Sequence, residues 1–136
     1  MIILDTNVVS EALRPEPAPQ VIDWLDGQDA ETLFLTSVSL AELLVGAAYL
    51  PEGRRRSAGG LERAVATLFG ERVLPFDAAA AEAFAPMVAA ARSNGVQVGF
   101  ADGQIAAIAV IRGFAVATRD AGSFRATGVE LINPWA

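Results

Sequence analysis

The sequence predicts one α/β domain in three layers, a mostly parallel central sheet with helices on both faces. Three observations predict it. Short apolar runs alternate with helical segments along the whole chain, the pattern of strand–helix–strand units. The length, 136 residues, suits one domain with a sizeable core. No linker, repeat or low-complexity stretch interrupts the pattern, so residues 1–136 read as a single domain.

The elements follow in order. Met1 to Leu4 is a short apolar run of the kind buried strands show. Asn7 to Leu13 reads as a helix, stopped by Pro15, Pro17 and Pro19. Pro19 to Leu25 starts a second helix with proline in its first turn and Trp24 and Leu25 facing inward. Thr32 to Ser37 is β-like and apolar. Ser39 to Leu50 is a helix in which Ser39 and Glu42 have the spacing of a capping box. Pro51, Glu52 and Gly53 break it. A helix rich in arginine and alanine then runs to about Phe69, weakened by Gly59 and Gly60. Arg72 to Phe76 is a short strand. Asp77 is placed to cap a long alanine-rich helix that ends at Asn94 and Gly95. Asp102 to Arg112 is apolar on nearly all sides (Ile105, Ile108, Val110, Ile111) and is expected inside the protein. Gly113 ends it. Phe114 to Thr118 and Val129 to Ile132 supply the last strands.

Absences narrow the chemistry. The chain has no cysteine and no histidine, and its ten basic residues are all arginine. Disulfides, thiolate metal sites, a Ser-His-Asp triad, a Walker lysine and a Schiff base are therefore excluded. An enzyme built from this chain must move protons through carboxylates, Tyr49 or water acidified by a metal. There is no secretory leader pattern, and the longest apolar stretch, Ile105 to Ile111, is too short to span a bilayer. The expectation is a soluble, cytoplasmic protein with no membrane association.

The net charge of −6 has the wrong sign for a general nucleic-acid binder, though Arg54–Arg56 and Arg112, Arg119 and Arg125 offer local positive charge. It suits a basic protein partner. A hydrophobic fraction of 53% exceeds what one small core hides, which predicts self-association; the alternative is that a high alanine content inflates the count.

Four acids fall at equivalent places. Asp5 ends the first strand, Glu42 lies in the first turn after the second, Asp102 opens the buried helix, and Asp120 follows the strand FAVAT. In an open parallel sheet these ends share one edge, where ligands bind at the switch in strand order. Each also has an ordinary role: Asp5 as a cap, Asp102 as a cap or a favourable first-turn charge, Glu42 in its capping box, Asp120 as a turn residue. Caps account for each acid separately but not for four acids at one edge. Clustered carboxylates repel, and they take up protons or bind cations. With only oxygen ligands on offer, Mg²⁺ or Mn²⁺ is the expected ion, and phosphodiester hydrolysis the matching chemistry.

The stretches ILDTNVVSE, SVSLAELLVG, ADGQIAAIA and VATRDAGSF…GVELINPWA together resemble PIN-domain ribonucleases, specifically the VapC-type toxins of toxin–antitoxin pairs and their FitB-like branch. The resemblance covers the whole chain. It implies the PIN fold and a Mg²⁺- or Mn²⁺-dependent endoribonuclease. By matching position it implies Asp5 and Asp102 as direct metal ligands. It implies that Glu42 and Asp120 complete the catalytic pocket, with Thr6, Asn7 and Thr118 lining it. Water rather than the 2′-OH would attack, leaving a 5′-phosphate and a 3′-hydroxyl. Many PIN domains carry an aspartate directly before the phenylalanine of the fourth motif. Here Ser123 holds that place and Asp120 is the acid, as in the FitB-like branch. The resemblance further implies an RNA substrate, an antitoxin whose arginine-bearing segment enters the acidic pocket, contact with DNA only through that antitoxin, and a homodimer. The helix Ser39–Leu50 and the alanine-rich helix after Asp77 are candidate interface faces, with burial in the protein's own core the alternative for both. The alternative is a catalytically weak module that binds RNA or protein. A phosphoryl-accepting receiver domain is disfavoured, because it calls for a lysine.

Overall fold

Five short strands form one parallel sheet, β1 (Ile2–Leu4), β2 (Leu33–Thr36), β3 (Val73–Leu74), β4 (Ala115–Ala117) and β5 (Leu131–Ile132), in the order β3-β2-β1-β4-β5. This computed structural model describes residues 1–51 and 60–136. The Arg54–Arg56 cluster and the start of the expected arginine-rich helix lie outside the described residues.

Alternation along the strands builds two cores. Ile3, Phe34, Leu74, Val116 and Leu131 face one side of the sheet; Leu4, Leu35, Val73, Ala117 and Ile132 face the other. The second face is covered by α1 (Thr6–Ala12), α2 (Pro19–Asp26), α3 (Ser37–Ala48) and α4 (Leu61–Phe69), through Val8, Val9, Val21, Leu43, Val65 and Phe69. The first is covered by α5 (Ala78–Ser93), α6 (Phe100–Arg112) and the single turn α7 (Ala121–Phe124), through Ala80, Ile105, Ile108 and Phe124. Helices on both faces of a parallel sheet are the three expected layers. Trp24 and Leu25 are half-buried against the second core, and Val21 is the fully buried residue of α2.

Chain order reverses at β1. From there the chain moves outward through β2 and β3, then returns to lay β4 on the other side of β1. The C-terminal ends of β1 and β4 thus flank the switch in strand order, the usual ligand crevice of such sheets.

Two expectations need correction. The helix after β2 starts at Ser37, not Ser39, and Thr36 is its cap: the Thr36 hydroxyl accepts from the Ser39 N–H at 3.0 Å. The strand feeds the helix without a loop, so its last residue takes the capping position. Ser39 lies inside the helix with its hydroxyl buried, and among the described residues it has no hydrogen-bond partner. The capping box is therefore absent, and Glu42 is free of it. The second correction concerns α6, which is buried from Ile105 to Ala109 while Val110 and Ile111 are exposed. Its final turn, ahead of the left-handed Gly113 cap, stands in solvent. The Asp77 cap is present, with its carboxylate accepting from the Ala80 N–H at 3.0 Å.

Candidate active site

Asp5 follows β1 directly, and its backbone N–H donates to the Ala117 carbonyl of β4 at 2.9 Å. This continues the ladder one residue past the strand and aims the carboxylate at the switch point. The side chain does cap α1: Oδ1 accepts from the Thr6 N–H at 2.8 Å. Its second oxygen, Oδ2, accepts from the Thr118 hydroxyl at 2.8 Å. Asp5 is 5% exposed. Capping and facing the cleft are thus both true of it.

The cleft at this edge has a volume of about 540 Å³ and is lined by Asp5, Thr6, Asn7, Ser10, Glu11, Arg14, Glu42, Asp102, Arg119, Asp120 and Trp135. All four predicted acids are among these residues, each from a different element. Glu42 projects from the first turns of α3, where its Oε1 accepts from the Thr6 hydroxyl at 2.7 Å. Asp102 stands in the first turn of α6 behind the Gly99 cap, as a favourable first-turn charge rather than the cap. Asp120 occupies the cap position of α7 but makes no capping bond; its Oδ2 accepts from the Ser123 hydroxyl at 2.7 Å. Thr118 is fully buried behind the cleft; Asn7 donates to its hydroxyl at 3.4 Å and accepts from the Arg119 N–H at 3.3 Å.

The acids sense one another. The Asp5 carboxyl is pushed up to about 6, first by burial, with the Asp102 and Glu42 charges adding and the Thr118 and Thr6 hydrogen bonds opposing. Asp102 is also raised, first by burial and then by Glu42 and Asp120, against the Ser123 hydroxyl. Ser123 thus acts on two carboxylates, and its one proton serves one of them at a time; the bond at hydrogen-bond distance goes to Asp120.

The donor set is all oxygen, mutually repulsive and partly buried, which fits a hard divalent cation. As the side chains stand, no three acids among the described residues are grouped tightly enough to hold one ion together. The exposed pair, Glu42 and Asp120, are each held aside by one hydroxyl bond.

Sequence reasoning missed Ser10, Glu11, Arg14 and Trp135. Glu11 is buried, pairs with Arg14 at 3.5 Å and accepts from the Ala18 N–H at 3.3 Å. Of the arginine group 112, 119 and 125, only Arg119 lines the cleft. Among the described residues, no helix is long and apolar enough to cross a membrane.

Comparison with known proteins agrees with the fold. A model of the PIN domain matches residues 2–130. VapC ribonuclease Y4jK of Sinorhizobium fredii is 47% identical over 99% of this chain and 98% of its own length. Toxin FitB of Neisseria gonorrhoeae is 43% identical over 99% of both chains. The solved structure of FitAB bound to an IR36 DNA fragment superposes with a TM-score of 0.93 at 40% identity, covering 100% of this chain and 96% of that one.

Proposed function

The chain belongs to the PIN-domain family, and from that premise we propose that it is an endoribonuclease of the VapC type, the toxin of a toxin–antitoxin pair, dependent on Mg²⁺ or Mn²⁺. One observation carries the reading: in a chain without histidine, cysteine or lysine, four carboxylates from four elements line one cleft at the switch in strand order. Residues 1–136 act as a single PIN domain.

Asp5 and Asp102 would be the direct ligands of the ion, with Glu42 and Asp120 completing the set. The ion, when bound, lowers the pKa of a water and offsets the charge that builds on phosphoryl oxygens. The chain's own residues do the rest. Thr118 and the Thr6 N–H fix the two oxygens of Asp5. Thr6 and Ser123 hold Glu42 and Asp120 at the rim. Burial and mutual repulsion raise Asp5 and Asp102, so cation binding relieves a cost the fold already carries. Attack by water predicts products with a 5′-phosphate and a 3′-hydroxyl.

The protein partner is an antitoxin, suited by charge to a −6 chain. The similar FitAB complex is bound to a DNA fragment, and in this pair the DNA contact is assigned to the antitoxin. Homodimerisation finds support in apolar side chains left in solvent, among them Val45 and Tyr49 on and just after α3. The test is cleavage of cellular RNA, mapped by 5′-end sequencing after induction, with Asp5→Asn as the control.

A further inference from the structure

Arg119 stands among acids and pairs with none of them. The cleft it lines carries Asp5, Glu11, Glu42, Asp102 and Asp120, yet the ion pair found among the described residues is Arg14 with Glu11. The Arg119 guanidinium instead lies over the indole of Trp135, 5.1 Å from the ring centre. Neighbouring parallel strands deliver both residues to one rim: Arg119 just past β4, Trp135 just past β5. Their backbones are tied down. The Thr118 N–H donates to the Ile132 carbonyl at 2.9 Å, the Arg119 N–H to Asn7 at 3.3 Å, and the Trp135 N–H to Asn133 at 2.9 Å. The Arg119 side chain stays exposed and Trp135 half-buried.

We propose that Arg119 and Trp135 form a nucleotide-binding subsite beside the acidic cleft, the guanidinium taking an RNA phosphate and the indole taking the adjoining base. This rests on the ribonuclease reading of the same cleft. A polyanion approaching four carboxylates is repelled and needs a local cation. An arginine paired with one of those carboxylates would be neutralised. One held on an indole keeps its charge available and is already oriented. A phosphate that draws the guanidinium outward leaves the ring face to a base, and unpaired bases stack on such faces. Arg14, the other arginine lining the cleft, is half-committed to Glu11.

The chain has two tryptophans, so Trp24→Phe leaves Trp135 as the sole indole reporter. Titrating that protein with a short oligouridylate in EDTA should change its fluorescence saturably, and adding Arg119→Gln should weaken the binding by ~10-fold. In a Mn²⁺ cleavage assay of the otherwise intact chain, Arg119→Gln and Trp135→Leu should each raise KM by ~10-fold and leave kcat within about 2-fold. Trp135→Phe should restore most of the loss, which separates stacking from misfolding. A flat titration, or unchanged KM in both variants, overturns the subsite. So does loss of grip on a co-expressed protein partner with RNA handling unaltered. If the parent chain titrates but cleaves nothing, the subsite stands and the ribonuclease reading falls. If it cleaves and the variants match it, the reverse holds.

Discussion

The Thr118 hydroxyl donates to Asp5 Oδ2 at 2.8 Å, joining two buried side chains 113 positions apart in the chain. They sit just past the ends of β1 and β4, on either side of the switch in strand order. The Thr118 hydroxyl oxygen in turn accepts from the Asp120 N–H at 3.0 Å and from the Asn7 side-chain amide at 3.4 Å. One hydroxyl therefore orients the deepest acid and shapes the turn that presents another.

Thr118→Val keeps the shape of the side chain and removes this hub. RNA cleavage should fall ~10–100-fold, the usual range when a group orienting a metal ligand is lost. Stability should fall by ~1–2 kcal/mol, because Asp5 and the Asp120 N–H each lose a partner. Kinetics and urea unfolding on one preparation check both; full activity would remove Thr118 from the site.

Asp5 should impose a pH slope on the metal-free protein. Its carboxyl titrates at about 6 in the fold against 3.8 for an unperturbed aspartate. The folded state thus holds the proton more tightly than the unfolded chain. The sign follows: the contribution is fully present below about pH 4 and is lost as pH rises through 6. The loss is ~3 kcal/mol from this group. Asp102 acts in the same direction. In EDTA, Asp5→Asn should be more stable than the parent at pH 7 and nearly equal to it at pH 4. Urea midpoints at the two pH values provide the comparison, and parallel curves would contradict the assignment.

Mn²⁺ should reverse that cost. An ion that binds only the folded state raises the melting temperature by mass action. The rise should be larger at pH 7 than at pH 5, where protons compete for Asp5 and Asp102. Asp5→Asn and Asp102→Asn should each cancel it. Thermal melts with and without millimolar Mn²⁺ give the answer, and an equal shift in all three proteins would place the ion elsewhere.

Gly103 follows Asp102 and packs α6 against α5. A Cβ there would stand 2.8 Å from Phe84 Cε2, in a ring stack where Phe84 meets Phe76 and Phe100 edge-on. Gly103→Ala should therefore destabilise by ~1–3 kcal/mol through overpacking. It should also lower activity, since the turn that must shift carries Asp102. Unfolding midpoints and cleavage rates measured together test the coupling.

Much of this was legible from the chain. Apolar runs alternating with helical segments located all five strands, because each strand feeds two cores and so is apolar on both faces. The four acids were legible because strand ends in a parallel sheet share an edge. The capping box was misread because Thr36, Ser37 and Ser39 all offer hydroxyls near one helix start; only the strand's last residue shows which one caps. The exposure of Val110 and Ile111 was hidden because apolarity does not reveal where a helix clears its neighbours. Arg119 and Trp135 meet through the pairing of β4 with β5, a register that spacing along the chain does not contain. Ser123 was visible only as a departure from a motif; its bond to Asp120 needed the turn of α7.

The cleft is proposed to hydrolyse RNA through its carboxylates and a divalent ion. The most direct measurement incubates purified protein with RNA in Mn²⁺ and in EDTA, beside Asp5→Asn, and identifies the product ends. The parent chain should cleave in Mn²⁺ and not in EDTA, leaving 5′-phosphate and 3′-hydroxyl ends, and Asp5→Asn should not cleave. Cleavage that persists in EDTA, or that leaves a cyclic phosphate, would contradict the proposal.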